Sequence, residues 1–155
     1  LHAKNLIYQN LYIKKIIIKI FNFNLKIKYK NHLIYSEDII INSFLKIDKI
    51  DLKNIFFSSK WESLRIIIQN ELIEGNNVSD LVIKNDLIIF SYVVNKLVNK
   101  IILSLYLQDN LIFLENIKSK TKIHLPVDKN IKFNICKIEN DLIIIDLSSR
   151  VIFNN

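Results

Sequence analysis

The sequence predicts an α+β domain, predominantly antiparallel β, in which an elongated twisted sheet or open barrel of hairpins packs on one main helix. Three observations predict it. Residues 21–30 alternate without a break, Phe21, Phe23, Leu25, Ile27 and Tyr29 against Asn22, Asn24, Lys26, Lys28 and Lys30, the period of a strand with one face in a core. Short Ile-, Leu- and Val-rich runs then recur through the second half, separated by Asp and Asn clusters that form turns. A single segment, 86–99, combines a cap, an acidic first turn and an apolar stripe at helical spacing.

Taken in chain order, residues 4–15 fit a short amphipathic helix with Ile7 and Leu11 four residues apart on one side, and residues 16–20 extend the alternating strand toward the N-terminus. Strands follow at 38–43, 47–57, 100–108, 111–118, 120–125, 131–138 and 142–148. Asp109-Asn110, Asp128-Lys129-Asn130 and Glu139-Asn140-Asp141 stand between them and replace the glycines the chain lacks. The second half therefore reads as a meander of hairpins. Ile101, Leu103, Leu105 and Leu107 give one strand a fully aliphatic face, while Ile143-Ile144-Ile145 and Ile66-Ile67-Ile68 are apolar on both faces. Strands of that kind are buried on both sides or open on one side to lipid or a partner. For the helix at 86–99, Asn85 is the cap, Asp86 lies in the first turn, and Leu87, Phe90, Val94, Leu97 and Ile101 form the stripe.

Residues 59–75 fit two templates. As a helix, Ser59-Lys60-Trp61-Glu62 is a capping box, Leu64, Ile68 and Leu72 share a side, and Gly75 is the C-cap. As β structure, the isoleucine triplet is a strand and Gly75-Asn76-Asn77 a turn before a further strand at 78–84.

With 155 residues the chain is one domain. Its composition is skewed: 33 Ile, 20 Asn and 20 Lys, against one Gly, one Pro and two Arg. The abundant types use A/T-rich codons, which points to an A/T-rich genome such as an organelle's. A collagen-like chain, a disulfide scaffold and a chain too poor in apolar residues to bury a core are all excluded. Charge is unevenly placed. Residues 1–30 form a basic arm and strand holding seven lysines with no acid before Glu37, whereas residues 31–155 hold 15 basic and 15 acidic residues and form a neutral β-rich body. The net +7 thus sits in the arm, and its partner is expected to be anionic lipid, nucleic acid or an acidic protein surface.

No stretch reads as a transmembrane helix, because the best apolar run, 6–23, is interrupted by Lys14, Lys15 and Lys19. The chain opens on Leu1, so a targeting segment upstream is compatible with it. Catalytic signatures are missing. One glycine cannot build a phosphate-cradling loop, His2, His32 and His124 lack metal-site spacing, and Cys136 sits in a strand as a buried thiol. The acidic pairs Glu37/Asp38 and Asp48/Asp51 read as solvated turn and strand-edge residues. No catalytic residue, cofactor or metal is expected, and the chain is read as a non-enzyme. Nucleic acid is the less favoured partner, since alternation puts Phe21, Phe23 and Tyr29 opposite the lysines and only Arg65 and Arg150 are present. The residues expected to touch a membrane or partner are Lys14, Lys15, Lys19, Lys26, Lys28 and Lys30, each worth about 1 kcal/mol near an anionic leaflet.

The run Arg65-Ile66-Ile67-Ile68-Gln69-Asn70-Glu71-Leu72-Ile73-Glu74-Gly75 followed by Val78-Ser79-Asp80-Leu81-Val82-Ile83-Lys84-Asn85-Asp86-Leu87 resembles the LmeA-like family of cyanobacteria, plastids and actinobacteria. There, strand, turn and strand lead to a Thr/Ser-x-x-Asp-Leu helix start, of which Asp86 and Leu87 match and the hydroxyl does not. Leu125-Pro126-Val127 and the strands at 131–138 and 142–147 resemble the family's closing hairpin, so the likeness covers about residues 45–153. It implies a β-rich fold wrapped on a helix, a strand at 65–70, a plastid or extracytosolic site, and binding of lipid or another apolar ligand, with no catalytic residues to transfer. The expectation is a non-enzymatic organellar protein, plastid by preference and peripheral to a membrane. It binds lipid or docks on a membrane complex through its basic arm and apolar faces. The competing class is a structural subunit of a large organellar assembly, a ribosome or photosynthetic complex.

Overall fold

A computed structural model of the chain describes the backbone of residues 2–8, 11–21, 25–28, 33–36 and 39–151, and the side chains of Ile17, Lys19 and residues 40–150. In order, the elements are β1 (His2–Tyr8), β2 (Leu11–Phe21), β3 (Leu25–Lys28), β4 (Leu33–Ser36), β5 (Ile39–Ile47), α1 (Lys49–Phe57), a 3₁₀ turn (Ser59–Trp61), α2 (Glu62–Ile73), β6 (Val78–Lys84), β7 (Leu87–Val94), β8 (Leu97–Gln108), β9 (Leu111–Asn116), β10 (Lys122–His124), β11 (Ile131–Glu139) and β12 (Leu142–Val151). They build an α+β fold of mostly antiparallel strands with two helices, and neither main sheet closes into a barrel. The first sheet runs β1-β2-β5-β12-β11 and the second β10-β9-β8-β7-β6, with β3-β4 a separate hairpin.

The second sheet is a meander from β6 to β10, so the meander expected over 100–148 is divided, β8–β10 lying here and β11–β12 in the first sheet. The turns explain how a chain with one glycine makes these hairpins. Asn85 and Asp86, Asn95 and Lys96, Asp109 and Asn110, and Asn140 and Asp141 of the β11–β12 hairpin all have φ between 50° and 66°. Two consecutive positive-φ residues between paired strands match the right-handed strand twist, and Asn and Asp enter that region more readily than other side chains. The same turns tie the two sheets together. Asp86 and Asp141 exchange hydrogen bonds, the Asp86 amide donating to the Asp141 carboxylate at 3.0 Å and the Asp141 amide to that of Asp86 at 2.8 Å. Asn110 donates to the Ile131 carbonyl at 3.1 Å and accepts from the Phe133 amide at 2.6 Å. Both ends of β11 are thereby fixed to turns at one end of the second sheet.

Between the sheets lies a core of Ile68, Leu72 and Ile73 from α2, Leu81 and Ile83 from β6, Ile88 and Phe90 from β7, Leu103 from β8 and Leu114 from β9, each buried. Phe56 of α1 packs on Phe90 with ring centroids 5.1 Å apart. Helix α1 lies against β2 and β6, and Lys53 reaches Asp80 of β6 at 2.6 Å, holding that carboxyl below its ordinary pKa. Arg65 of α2 donates to the Phe56 carbonyl at 2.8 Å, satisfying an acceptor freed at the end of α1.

Several expectations are corrected. The segment 86–99 is not a helix but β7, a turn and the start of β8. Leu87, Phe90, Val94, Leu97 and Ile101 do fall at helical spacing. However, the segment also carries Ile88, Ile89, Val93 and Val98, whose branched side chains favour a pleated surface, and Asn85-Asp86 is a turn instead of a cap. Residues 4–15 form the β1–β2 hairpin, Lys4 facing Lys15 and Tyr8 facing Leu11, in place of a helix. The strand expected over 47–57 ends at Ile47. Asp48 stops it by accepting the amides of Ile50 at 2.9 Å and Asp51 at 3.0 Å, which starts α1. Replacing Asp48 with Ala is expected to cost about 0.5–2 kcal/mol in urea denaturation, the range for a lost N-cap.

At 59–75 the helix template is the one adopted, and the strand at 65–70 implied by the family resemblance is absent. Leu72 and Ile68 face the core while Ile66 and Ile67 stay exposed. The capping box does not form. Helix α2 instead ends in left-handed Glu74 (φ 53°) and Gly75 (φ 78°), with the Gly75 amide donating to Gln69 at 2.9 Å. The alternating run 21–30 divides between sheets, Phe21 closing β2 and Leu25–Lys28 pairing with β4, while residues 22–24 and 29–30 lie outside the described residues.

Candidate functional site

A cavity of about 580 Å³ opens between the two sheets and the helices. Every layer contributes to its wall. Ile47, Ile143 and Ile145 come from the first sheet, Leu81, Phe90, Leu105 and Leu114 from the second, and Leu52, Phe56 and Ile68 from the helices. Strand alternation places them. On β12, Ile143, Ile145 and Leu147 are two residues apart and share the inner face, opposite Ile47, Leu45 and Ser43 of β5.

The wall is aliphatic and aromatic in its depth, where Leu81, Phe90, Ile68 and Cys136 are 2–4 % exposed. Its polar members Lys60, Ser63 and Asp128 are exposed, as is Trp61 at 41 %. The opening therefore lies between the start of α2 and the loop after β10. Asp128 is engaged in its own turn, accepting the Asn130 amide at 2.8 Å. Lys60 forms no ion pair among the described residues and is the cation at the mouth. Such volume and such a lining, apolar inside with a few polar groups at the entrance, are those of a small-molecule site of roughly 300–1,000 Å³.

Cys136, on β11, points into this cavity. Burial pushes its thiol from an ordinary value near 9.0 up to about 11, which makes it a poor nucleophile and agrees with its reading as a buried structural thiol.

Of the lysines singled out from the sequence, Lys19 is the one whose side chain is among the described residues. Lys19 is exposed on β2 opposite Asn42 and borders a shallow groove of about 360 Å³ with Ile17, Asn42, Phe44 and Asp146. Lys14 and Lys15 are in β2, with Lys15 in register with Lys46 of β5 and Lys4 of β1. Lys26 and Lys28 are in β3, in the separate hairpin. Lys30 lies outside the described residues.

Of the acidic pairs, Asp48 caps α1 and Asp51 is fully buried within it, not solvated as expected. One helical turn past the cap, Asp51 is carried onto the side of α1 that packs inward. Glu37 and Asp38 lie outside the described residues. On the outer face of the second sheet, Tyr106, Phe113 and His124 stand in register across β8, β9 and β10. Their rings stack on one another at 5.6 and 6.5 Å, which places Phe113 between two neighbours.

The cavity itself has no sequence motif. Its signal was the two-sided apolar runs, which mark strands with something apolar against both faces but not the gap between sheets. No group of His, Cys, Asp and Glu able to hold a metal occurs among the described residues, and no helix among them is long and apolar enough to cross a membrane. Comparison with protein families, with curated proteins and with solved structures gives no match.

Proposed function

We propose that this chain is a non-enzymatic binder of a single-chain lipid, held in the cavity between the sheets, and that it works at an anionic membrane surface to which its basic arm is drawn. The observation that carries the reading is the 580 Å³ cavity with an apolar interior and, among the described residues that line it, a single lysine at the mouth. An acyl chain gains about 0.8 kcal/mol for each methylene removed from water, and Lys60 at the entrance suits a carboxylate or phosphate head. The LmeA-like resemblance implies the same ligand class. An organellar, plastid-type location belongs to the proposal through the codon bias of the composition. The lysines of the arm add an attraction that salt weakens.

The test is titration of the full chain with a fluorescent fatty acid, compared with Leu105→Trp and Ile145→Trp, two partly buried wall positions where a larger side chain fills the cavity. Each substitution is expected to exclude two or three methylenes and weaken binding about 10–50-fold. The thermal midpoint should hold or rise, because an unfilled space is being occupied. Wild-type affinity in both variants, or no uptake by the wild-type chain, would overturn the cavity assignment.

A further inference from the structure

One hairpin of the second sheet differs from the others. The turns Asn85-Asp86, Asp109-Asn110 and Asn140-Asp141 each carry an aspartate. Asn95-Lys96 carries a lysine, and beside it Val93, Leu97 and Val98 are 50, 69 and 66 % exposed. Among residues 91–102 there is no acid, and Lys96 and Lys100 are both exposed. The register shows why these side chains are bare. Strand β6 begins opposite Tyr92 of β7, and β9 ends opposite Leu103 of β8. Residues 93–98 therefore project beyond both neighbours as a two-stranded ribbon, about 7–10 Å at ~3.4 Å per residue. Val93 faces Val98 and Val94 faces Leu97, so consecutive pairs fall on opposite faces and the tip is apolar on both sides.

We infer that this β7–β8 tip is the element by which the protein enters the interface of an anionic bilayer. The inference rests on the membrane-apposed reading above but not on the cavity's being a lipid site, and it assigns the insertion to a different element from the basic arm. The geometry selects lipid over protein. A ribbon apolar on both faces is covered all round by a bilayer but only on one side by a protein surface. Three exposed aliphatic side chains are also far short of the roughly 20 residues a side of a stable protein interface. The projection matches the ~5–10 Å depth to which interfacial elements bury their apolar face. Lys100, paired with Ser91 at the base of the ribbon, then lies at the depth of the headgroups, where a lysine favours anionic lipid about fivefold, and Lys96 at the turn reaches back toward them along its aliphatic stem.

The experiment uses the full chain with Leu97→Cys in a Cys136→Ala background, labelled with an environment-sensitive nitrobenzoxadiazole dye and mixed with vesicles of phosphatidylglycerol and phosphatidylcholine. Emission from position 97 is expected to brighten and shift to the blue, while a label at Asp109→Cys, in the turn at the other end of the sheet, stays unchanged. Serine at Val93, Leu97 and Val98 together should weaken vesicle binding about 100-fold with an unchanged circular dichroism spectrum. Lys96→Glu with Lys100→Glu should weaken it at least about tenfold, and more at low salt. A chain that sediments with vesicles without a spectral change at position 97 would overturn the tip and leave the arm as the membrane contact. Failure to sediment would overturn both. Neither result would touch the cavity, which fatty-acid titration without vesicles reads separately.

Discussion

Replacing Leu103 with Ala lowers the stability of the fold by about 3–5 kcal/mol, the range for a fully enclosed leucine whose site cannot collapse. Leu103 is 0 % exposed. It lies on the central strand of the second sheet, between Ile88 of β7 and Asn116 of β9, so strands on both sides hold the backbone apart when the side chain is removed. At this chain length the loss corresponds to a fall of about 10 °C or more in thermal midpoint. Ile102, the preceding residue, points to the other face and is 43 % exposed. Ile102→Ala is expected to cost under about 1 kcal/mol. Chemical denaturation of both variants checks the pair, and equal losses would mean that the two faces of β8 are not distinguished as described.

Cys136 in the folded chain is expected to react with a disulfide reagent at pH 8 at least about a hundredfold more slowly than in the denatured chain. With its thiol raised from 9.0 to about 11 by burial, the thiolate fraction at that pH falls by about two orders of magnitude, and the thiolate is the reactive form. The 4 % exposure of the side chain slows access further. The same shift sets a dependence of stability on pH. The folded state holds this proton more tightly than the unfolded one, so the contribution is complete below about pH 9 and is lost as the pH rises toward about 11. Two pKa units correspond to about 2–3 kcal/mol at most. Denaturation curves of wild type and Cys136→Ala between pH 8 and pH 11 isolate that slope from the titration of lysines and tyrosines common to both. Parallel curves would show that Cys136 is not buried as a thiol.

The strands from β8 to β12 are legible in the sequence because runs rich in Ile, Leu and Val are set off by polar turns, most of them bearing Asp or Asn, two local signals that agree. Misreadings arise where local signals conflict. Over 86–99 a helical stripe and a β-branched composition describe the same residues. The deciding feature, left-handed backbone at Asn95 and Lys96, has no glycine to announce it. Asp48 is the converse case, a short side chain after a run of isoleucine and leucine that ends the strand because its carboxylate satisfies two amides of the next helix. The resemblance to a known family misplaced residues 65–70, where three isoleucines look like a strand until Leu64, Ile68 and Leu72 are seen as one side of a helix. Burial of one side was legible; the space between sheets was not. That space depends on how far apart Asp86–Asp141 and Asn110–Phe133 hold two surfaces that are distant in sequence.

Ten residues other than glycine hold positive φ among those described, at little net effect on stability. A side chain in that region strains the native turn by about 1–2 kcal/mol, less for Asn and Asp. It also narrows the freedom of the unfolded chain, a stabilisation of about 0.4–1 kcal/mol relative to glycine. The two effects largely offset. A hairpin protein can therefore do almost without glycine and keep its topology, whereas a fold that needs backbone to close on a phosphate has no such substitute. In a hairpin fold the pairing of the strands, not the residue type at the turn, carries the topology, and asparagine and aspartate stand at the turns where glycine is usual.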